Sequence, residues 1–313
     1  MGQYFPQANT LVVCLFLSVS NGAMAESDWR AKPIYGADDR VEVFDAPEQL
    51  RQAAKSVALL VSKASLDNID EHTARLVPRP STDDPDFCAE ERFTDQPAVA
   101  ACSAFLVSQN LIATAAHCVK PVGDDNARGL HCDDLSIVFD YVLDTADSDT
   151  PILNMANVYH CSAVEDGVYH PPNGPDWRIV RLDRAVPSSD RAALTISTLT
   201  AAPDTPVAVL GHPRGLPMKA AGNAIILRDG ELGGSVADLD TFAGNSGSPV
   251  FTDYGCGPVV VGLLSRGSED FTVNPDTGQC RSARLCNDGA CLGEQITSSK
   301  AIADYADRPF TGC

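Results

Sequence analysis

Three short segments carry side chains that together could act on an acyl group. His117 ends the run Leu111-Ile112-Ala113-Thr114-Ala115-Ala116-His117-Cys118, where small residues let the backbone pack tightly behind the imidazole. Asp176 opens the run Asp176-Trp177-Arg178-Ile179-Val180-Arg181-Leu182. A carboxylate at such a position can be buried against an imidazole, fixing its tautomer and stabilising its charged form. Ser246 lies in Gly244-Asn245-Ser246-Gly247-Ser248-Pro249-Val250, where glycines permit a tight turn. That turn can aim the N–H groups of Gly244 and Ser246 at one point, as an oxyanion hole requires. A hydroxyl nucleophile, a base, an orienting carboxylate and two converging donors are the parts of acyl transfer through a covalent intermediate. Asp140 and Asp166 are the alternatives for the carboxylate.

Chain order narrows the class. An α/β-hydrolase triad needs its Ser first and its His last, and all six histidines precede Ser246, so that arrangement is excluded. A subtilisin order needs an Asp ahead of the His, which is available, but the Ser motif of that class is missing.

The elements that must hold these residues read as β structure. Cys102-Ser103-Ala104-Phe105-Leu106-Val107, the polar turn Ser108-Gln109-Asn110 and the run ending at His117 form a strand, a turn and a strand. Cys102 and Cys118 flank this hairpin, and a bridge between them would clamp the loop that holds the His, worth roughly 3 kcal/mol in the chain-entropy model. Apolar segments of three to eight residues recur at 56–61, 136–143, 179–182, 207–210, 224–227, 250–252 and 259–264, with Pro, Gly, Asn and Asp between them. No helical pattern alternates with them, which disfavours a βαβ fold. Two packed β-barrels suit this strand count. Short helices are expected at 46–54 and, near the C-terminus, at 298–305.

Composition sets the outer limits. The chain has 313 residues, of which 44% are apolar and 21% charged, as in a globular protein. Asp plus Glu is 42 against 23 for Lys plus Arg, a net charge of −19. That excludes nucleic-acid binding and docking on anionic lipid, since the basic surface both demand is missing. Residues 11–20 are an apolar run too short to span a bilayer, and Ala23-Met24-Ala25 after it is an A-x-A site. Residues 1–25 are therefore expected to be a secretory leader cleaved after Ala25, although residues 1–10 hold no Lys or Arg. Cleavage removes Cys14 and leaves an even number of cysteines, which argues for disulfides in an exported chain. Zinc is the competing reading of the cysteines, but only Cys286 and Cys291 approach a knuckle spacing. No metal or cofactor is expected. Residues 26–50 read as an arm or pro-segment, and 51–313 as the main domain, divided near residue 190. The destination is expected to be the periplasm or the medium, and the protein a monomer with no membrane contact once the leader is gone.

The motifs Thr114-Ala115-Ala116-His117-Cys118 and Gly244-Asn245-Ser246-Gly247-Ser248-Pro249 resemble those of chymotrypsin-fold, trypsin-like serine peptidases. The form Gly-Asn-Ser-Gly-Ser-Pro-Val looks more like the bacterial and glutamyl-endopeptidase branch than the vertebrate form. The resemblance implies an all-β fold of two six-stranded barrels with the site between them. It implies that His117 is the general base, Asp176 its orienting acid, Ser246 the nucleophile, and Gly244 and Ser246 the oxyanion donors. Asn245 stands where vertebrate members carry the Asp that pairs with a freshly cut N-terminus, so that zymogen switch is expected to be absent. By similarity Asp240 and Thr241 belong to the pocket for the substrate side chain, and Ser265, Arg266 and Gly267 to the edge that pairs with substrate backbone. An Asp at position 240 favours a basic side chain there over an acidic one, unless Asp240 is structural. Arg266 would then attract an acidic group or pair with Asp240. The long segment after Gly267 has no family template and is expected to be a set of loops tied by local disulfides.

The implied activity is endopeptidase cleavage of protein or peptide substrates through an acyl-enzyme. A catalytically silent binding module on the same fold and an esterase using the same triad are the alternatives.

Overall fold

The computed structural model describes residues 1–2, 38–78, 86–146, 150–171, 174–267, 270–274, 277–286 and 293–313. The expected leader, its cleavage site and residues 26–37 of the arm lie outside the described residues, as does Cys291. Twelve strands form two closed antiparallel barrels. In the first, β1 (Val57–Ser62), β2 (Cys102–Ser108), β3 (Leu111–Thr114), β4 (Leu135–Phe139), β5 (Val158–Tyr169) and β6 (Asp176–Leu182) close in the order β6-β3-β2-β1-β4-β5. In the second, β7 (Pro206–Gly211), β8 (Lys219–Asp229), β9 (Ser235–Ala237), β10 (Pro249–Asp253), β11 (Pro258–Arg266) and β12 (Glu294–Ser298) run β10-β7-β8-β9-β12-β11, and pairing of β10 with β11 closes the ring. The all-β, two-barrel fold expected from the motifs is therefore present.

The strands form where their residues can be buried. Val57 to Val61 are covered on both faces, which is why this run is continuously apolar rather than alternating. Leu60 faces the main core with Phe105, Ile137 and Phe251, while Leu59 and Val61 face an outer cluster with Leu76, Tyr141 and Leu153. The second barrel is filled by Val207, Val209, Ile226, Val250, Val261 and Ile296. The main core runs through both barrels, taking in Leu210, Val260 and Leu263 beside Ile112 and Ile179. The two barrels are thus packed as one body, with the expected site residues at the seam.

Helix α1 (Glu48–Ala54) answers the expected helix at 46–54 and buries Leu50, Ala53 and Ala54, the i, i+3, i+4 stripe of a surface helix. The expected helix at 298–305 is instead two single 3-10 turns, Ser299–Ala301 and Ala303–Tyr305. Ile302 between them has φ −118°, which interrupts the α geometry. No helix among the described residues is long and apolar enough to cross a membrane.

Residues 38–50 of the arm are built into the fold. Val41–Glu42 add to β8 opposite Lys219 and Ala220. Arg40 is 2% exposed, held by Asp38 through Nε and Nη2 at 2.8 and 2.6 Å and lying 4.0 Å over the Phe242 ring. Lys219 is buried beside them and donates to Glu42, Gln96 and the Pro217 carbonyl at 2.7–3.0 Å; burial pushes its ammonium down to about 8.

Disulfides join Cys102–Cys118, Cys132–Cys161, Cys88–Cys280 and Cys256–Cys313. The expectation of local pairs after Gly267 does not hold for Cys280 or Cys313. Cys280 reaches back 192 residues to the loop before β2, and Cys313 reaches 57 to the β10–β11 turn. The hairpin of Phe271–Val273 with Arg281–Ala283 is pinned by the Cys88–Cys280 bond against residues 86–93.

Candidate active site

The His segment is built as the sequence reads. β3 ends at Thr114, and a 3-10 turn over Ala116–Cys118 swings the imidazole out of the barrel wall. Ala113, Ala115 and Ala116 are buried behind it, and the Cys102–Cys118 bond anchors the turn to the start of β2. The His117 N–H donates to Asp176 Oδ1 at 3.1 Å, and its Nδ1 lies 2.7 Å from Asp176 Oδ2. An ionised carboxylate can only accept, so Nδ1 carries the proton and Nε2 is left as the basic nitrogen. Asp176 is fully buried as the first residue of β6, and its own N–H donates to Thr297 Oγ1 at 3.1 Å.

The two alternative carboxylates are committed elsewhere. Asp140 is paired with Arg191 at 3.0 Å and accepts from Asn157. Asp166 accepts the Tyr305 hydroxyl and the Gly167 N–H, which hold its carboxyl below the usual range.

Ser246 sits in a turn that only glycines can make at two places. Gly244 has φ +101°, and a Cβ on it would lie 2.4 Å from the His212 carbonyl oxygen. Gly247 has φ +87°, and its Cβ would lie 2.2 Å from the Ser103 oxygen and 2.4 Å from Thr114 Oγ1. Because of that close approach the turn lies against β2 and β3 of the other barrel. Ser103 N–H donates to the Ser246 carbonyl at 2.8 Å, and Ser103 Oγ to the Gly244 carbonyl at 2.9 Å. Neither the Gly244 nor the Ser246 N–H donates to another group among the described residues. Asn245 is buried, and its Oδ1 accepts from Ser248 Oγ at 3.3 Å, so the amide serves the turn itself.

His117 and Ser246 line one open cleft of about 360 Å³, together with Ser265, Arg266 and Gly267. Asp240 is not among the lining residues, which corrects the sequence expectation. Its Oδ2 accepts the Asp39 N–H at 2.9 Å from the arm, and burial together with Asp39 pushes its carboxyl up to about 8. The local motif gives no sign that an arm 201 positions away lies there. Thr241 also stands behind the wall, donating its hydroxyl to Glu294 Oε2 at 2.9 Å. Arg266 pairs with Asp176, with Nη2 3.2 Å from Oδ2, and not with Asp240.

Residues without a motif complete the cleft: Phe242, Asp270, Glu294, Tyr169 and Arg128. Phe242 forms a wall between Arg40 at 4.0 Å and the ring of Phe271 at 4.7 Å. Asp270 accepts the Ala243 N–H at 2.7 Å, and Glu294 lies against Gly267, whose missing side chain makes room for its carboxylate. The only advance signal for Glu294 is its place at the start of a strand pairing with the 265–267 edge, and that pairing is not readable locally.

A family model described as a trypsin-like peptidase domain matches residues 102–263. No curated protein matches the chain. Among solved structures, the inactive form of the Rv3671c protease of M. tuberculosis aligns at 14% identity over 82% of this chain and 89% of its own, with a TM-score of 0.42. A Glu endopeptidase in complex with MPD aligns at 14% identity over 82% of this chain and 95% of its own, with a TM-score of 0.48.

Proposed function

The chain belongs to the trypsin-like peptidase family, and from that membership we propose that it is a serine endopeptidase working through an acyl-enzyme. Ser246 Oγ attacks the scissile carbonyl while His117 Nε2 takes its proton. Asp176 keeps the ring in the required tautomer and stabilises it when charged. The N–H groups of Gly244 and Ser246 receive the oxyanion. His117 then passes the proton to the leaving amine, and water reverses the sequence to free Ser246. The observation that carries this reading is the 2.7 Å contact of His117 Nδ1 with buried Asp176, on the same cleft as Ser246.

The edge 265–267 offers backbone for an extended protein or peptide substrate. A basic side chain entering beside Ser246 would meet the carboxylates of Asp270 and Glu294, which favours Arg or Lys there over Glu or Asp. Export belongs to the same reading. Four disulfides among the described residues suit an oxidising compartment, and cleavage after Ala25 would leave the arm at 38–50 in place.

The test is labelling by a fluorophosphonate probe together with cleavage of a peptide library, using the wild type beside Ser246→Ala. The wild type is expected to label and cleave, and the variant to do neither. A folded wild type that neither labels nor cleaves would leave a binding module, and turnover of esters without peptides would leave an esterase.

A further inference from the structure

Oδ2 of Asp176 is shared. His117 Nδ1 stands 2.7 Å from it, and Arg266 Nη2 stands 3.2 Å from it. The second contact is an ion pair without the alignment of a hydrogen bond, so it acts through charge. It also crosses between barrels, since Asp176 begins β6 and Arg266 ends β11. The guanidinium is fixed by other groups: Nη1 donates to the Gly174 carbonyl at 3.0 Å, and its carbon lies 5.5 Å from the Tyr169 ring centre. Ser265, the neighbouring residue, turns its hydroxyl to the Gln295 carbonyl at 3.0 Å, which leaves Arg266 as the side chain of this edge that reaches the carboxylate. The Asp176 side chain is fully buried and that of Arg266 is 20% exposed, so solvent screens the pair little.

We propose that Arg266 is a positioning residue of the active site, a permanent cation that holds Asp176 across the barrel junction and offsets the charge the carboxylate presents to His117. The inference rests on the catalytic reading of His117, Asp176 and Ser246. An isolated buried carboxylate favours the protonated imidazole, and a cation on the same oxygen opposes that. Arg is the residue suited to this, because it keeps its charge at any working pH.

Other charged groups surround the pair. Arg178, on β6, is near enough to feel the Asp176 charge, with Asp166 of β5 beyond it. Arg128 enters from the 123–129 loop, and Asp270 and Glu294 stand along the cleft. Among the described residues the Asp176 side-chain oxygens contact only His117 and Arg266.

The experiment follows the rate of fluorophosphonate labelling of Ser246 against pH in the wild type, Arg266→Gln, Arg266→Met and Arg266→Lys, each checked for a cooperative melt. The acid limb of the profile is expected to move to higher pH by about one unit in the neutral variants, the low end of what one charge at this range does. Arg266→Lys, with a shorter cation, should move it less in the same direction, so it carries the test if neither neutral variant folds. An acid limb that coincides with the wild type in every folded variant overturns the proposal. A wild type that labels with an unmoved limb defeats this inference alone. A folded wild type that never labels defeats the catalytic reading and this inference with it.

Discussion

The Ser103 N–H donates to the Ser246 carbonyl at 2.8 Å, so the backbone of the proposed nucleophile is fastened to the barrel that carries His117. Two residues from separate barrels are thereby held in register by a main-chain hydrogen bond. The accuracy of the site depends on how closely the turn at 244–249 can approach β2.

Gly247 permits that approach, and Gly247→Ala should break it. The new Cβ would meet the Ser103 oxygen at 2.2 Å, in a backbone conformation an L-residue resists at a cost of about 1–2 kcal/mol. Labelling of Ser246 should be lost and the melting temperature lowered by several degrees. Unchanged labelling in the variant would mean that the close approach is not what aligns the turn.

Asp176→Asn should leave the fold in place and lower kcat by up to about four orders of magnitude, the effect of the same change in the best-known enzyme of this mechanism. Asp140→Asn and Asp166→Asn are the controls, since Arg191 and Tyr305 hold those carboxylates away from His117. Steady-state kinetics on one peptide decides between them. A control that loses as much activity as Asp176→Asn would reassign the orienting acid.

Removing the Cys102–Cys118 bond by a double change to Ala should cost about 3 kcal/mol in denaturant unfolding, from the length of loop it closes. Because the bond ends beside His117, kcat should fall along with stability. A drop in stability with kcat intact would restrict the bond to a structural role.

His212 predicts a pH dependence of stability. It is fully buried, Nδ1 lies 3.0 Å from the Leu216 carbonyl oxygen, and burial pushes its imidazole down to about 3. The unfolded chain takes up that proton near pH 6.5, so stability present above this value is lost as the pH falls towards 3, by roughly 1.4 kcal/mol per unit. His212→Gln should flatten the dependence between these limits while costing about 1–3 kcal/mol at neutral pH. Parallel slopes in the two proteins would remove His212 as the cause.

The parts legible in the sequence were those encoded within a few neighbouring residues. The hairpin ending at His117, the glycines around Ser246 and the Cys102–Cys118 clamp each show their geometry in a local run. Asp176 could be named because a carboxylate opening an apolar strand is a local pattern too. Asp240 misled for the opposite reason: its environment is Asp39, from the arm just before Val41–Glu42, which add to the sheet far along the chain. Glu294 and the Arg266–Asp176 pair were invisible because β12 and β11 bring them to the cleft by register, which no short motif records. The disulfide Cys88–Cys280 was unreadable on the same ground.

The arm at Asp38–Arg40 sets a floor for trimming. Arg40 is wedged between the Asp38 carboxylate and the face of Phe242, and Asp39 accepts the N–H groups of Gly222 and Asn223 at 3.0 and 2.7 Å. A maturation cut placed beyond residue 38 would pull a keystone from beneath the wall of the cleft, so the working N-terminus must begin upstream of it.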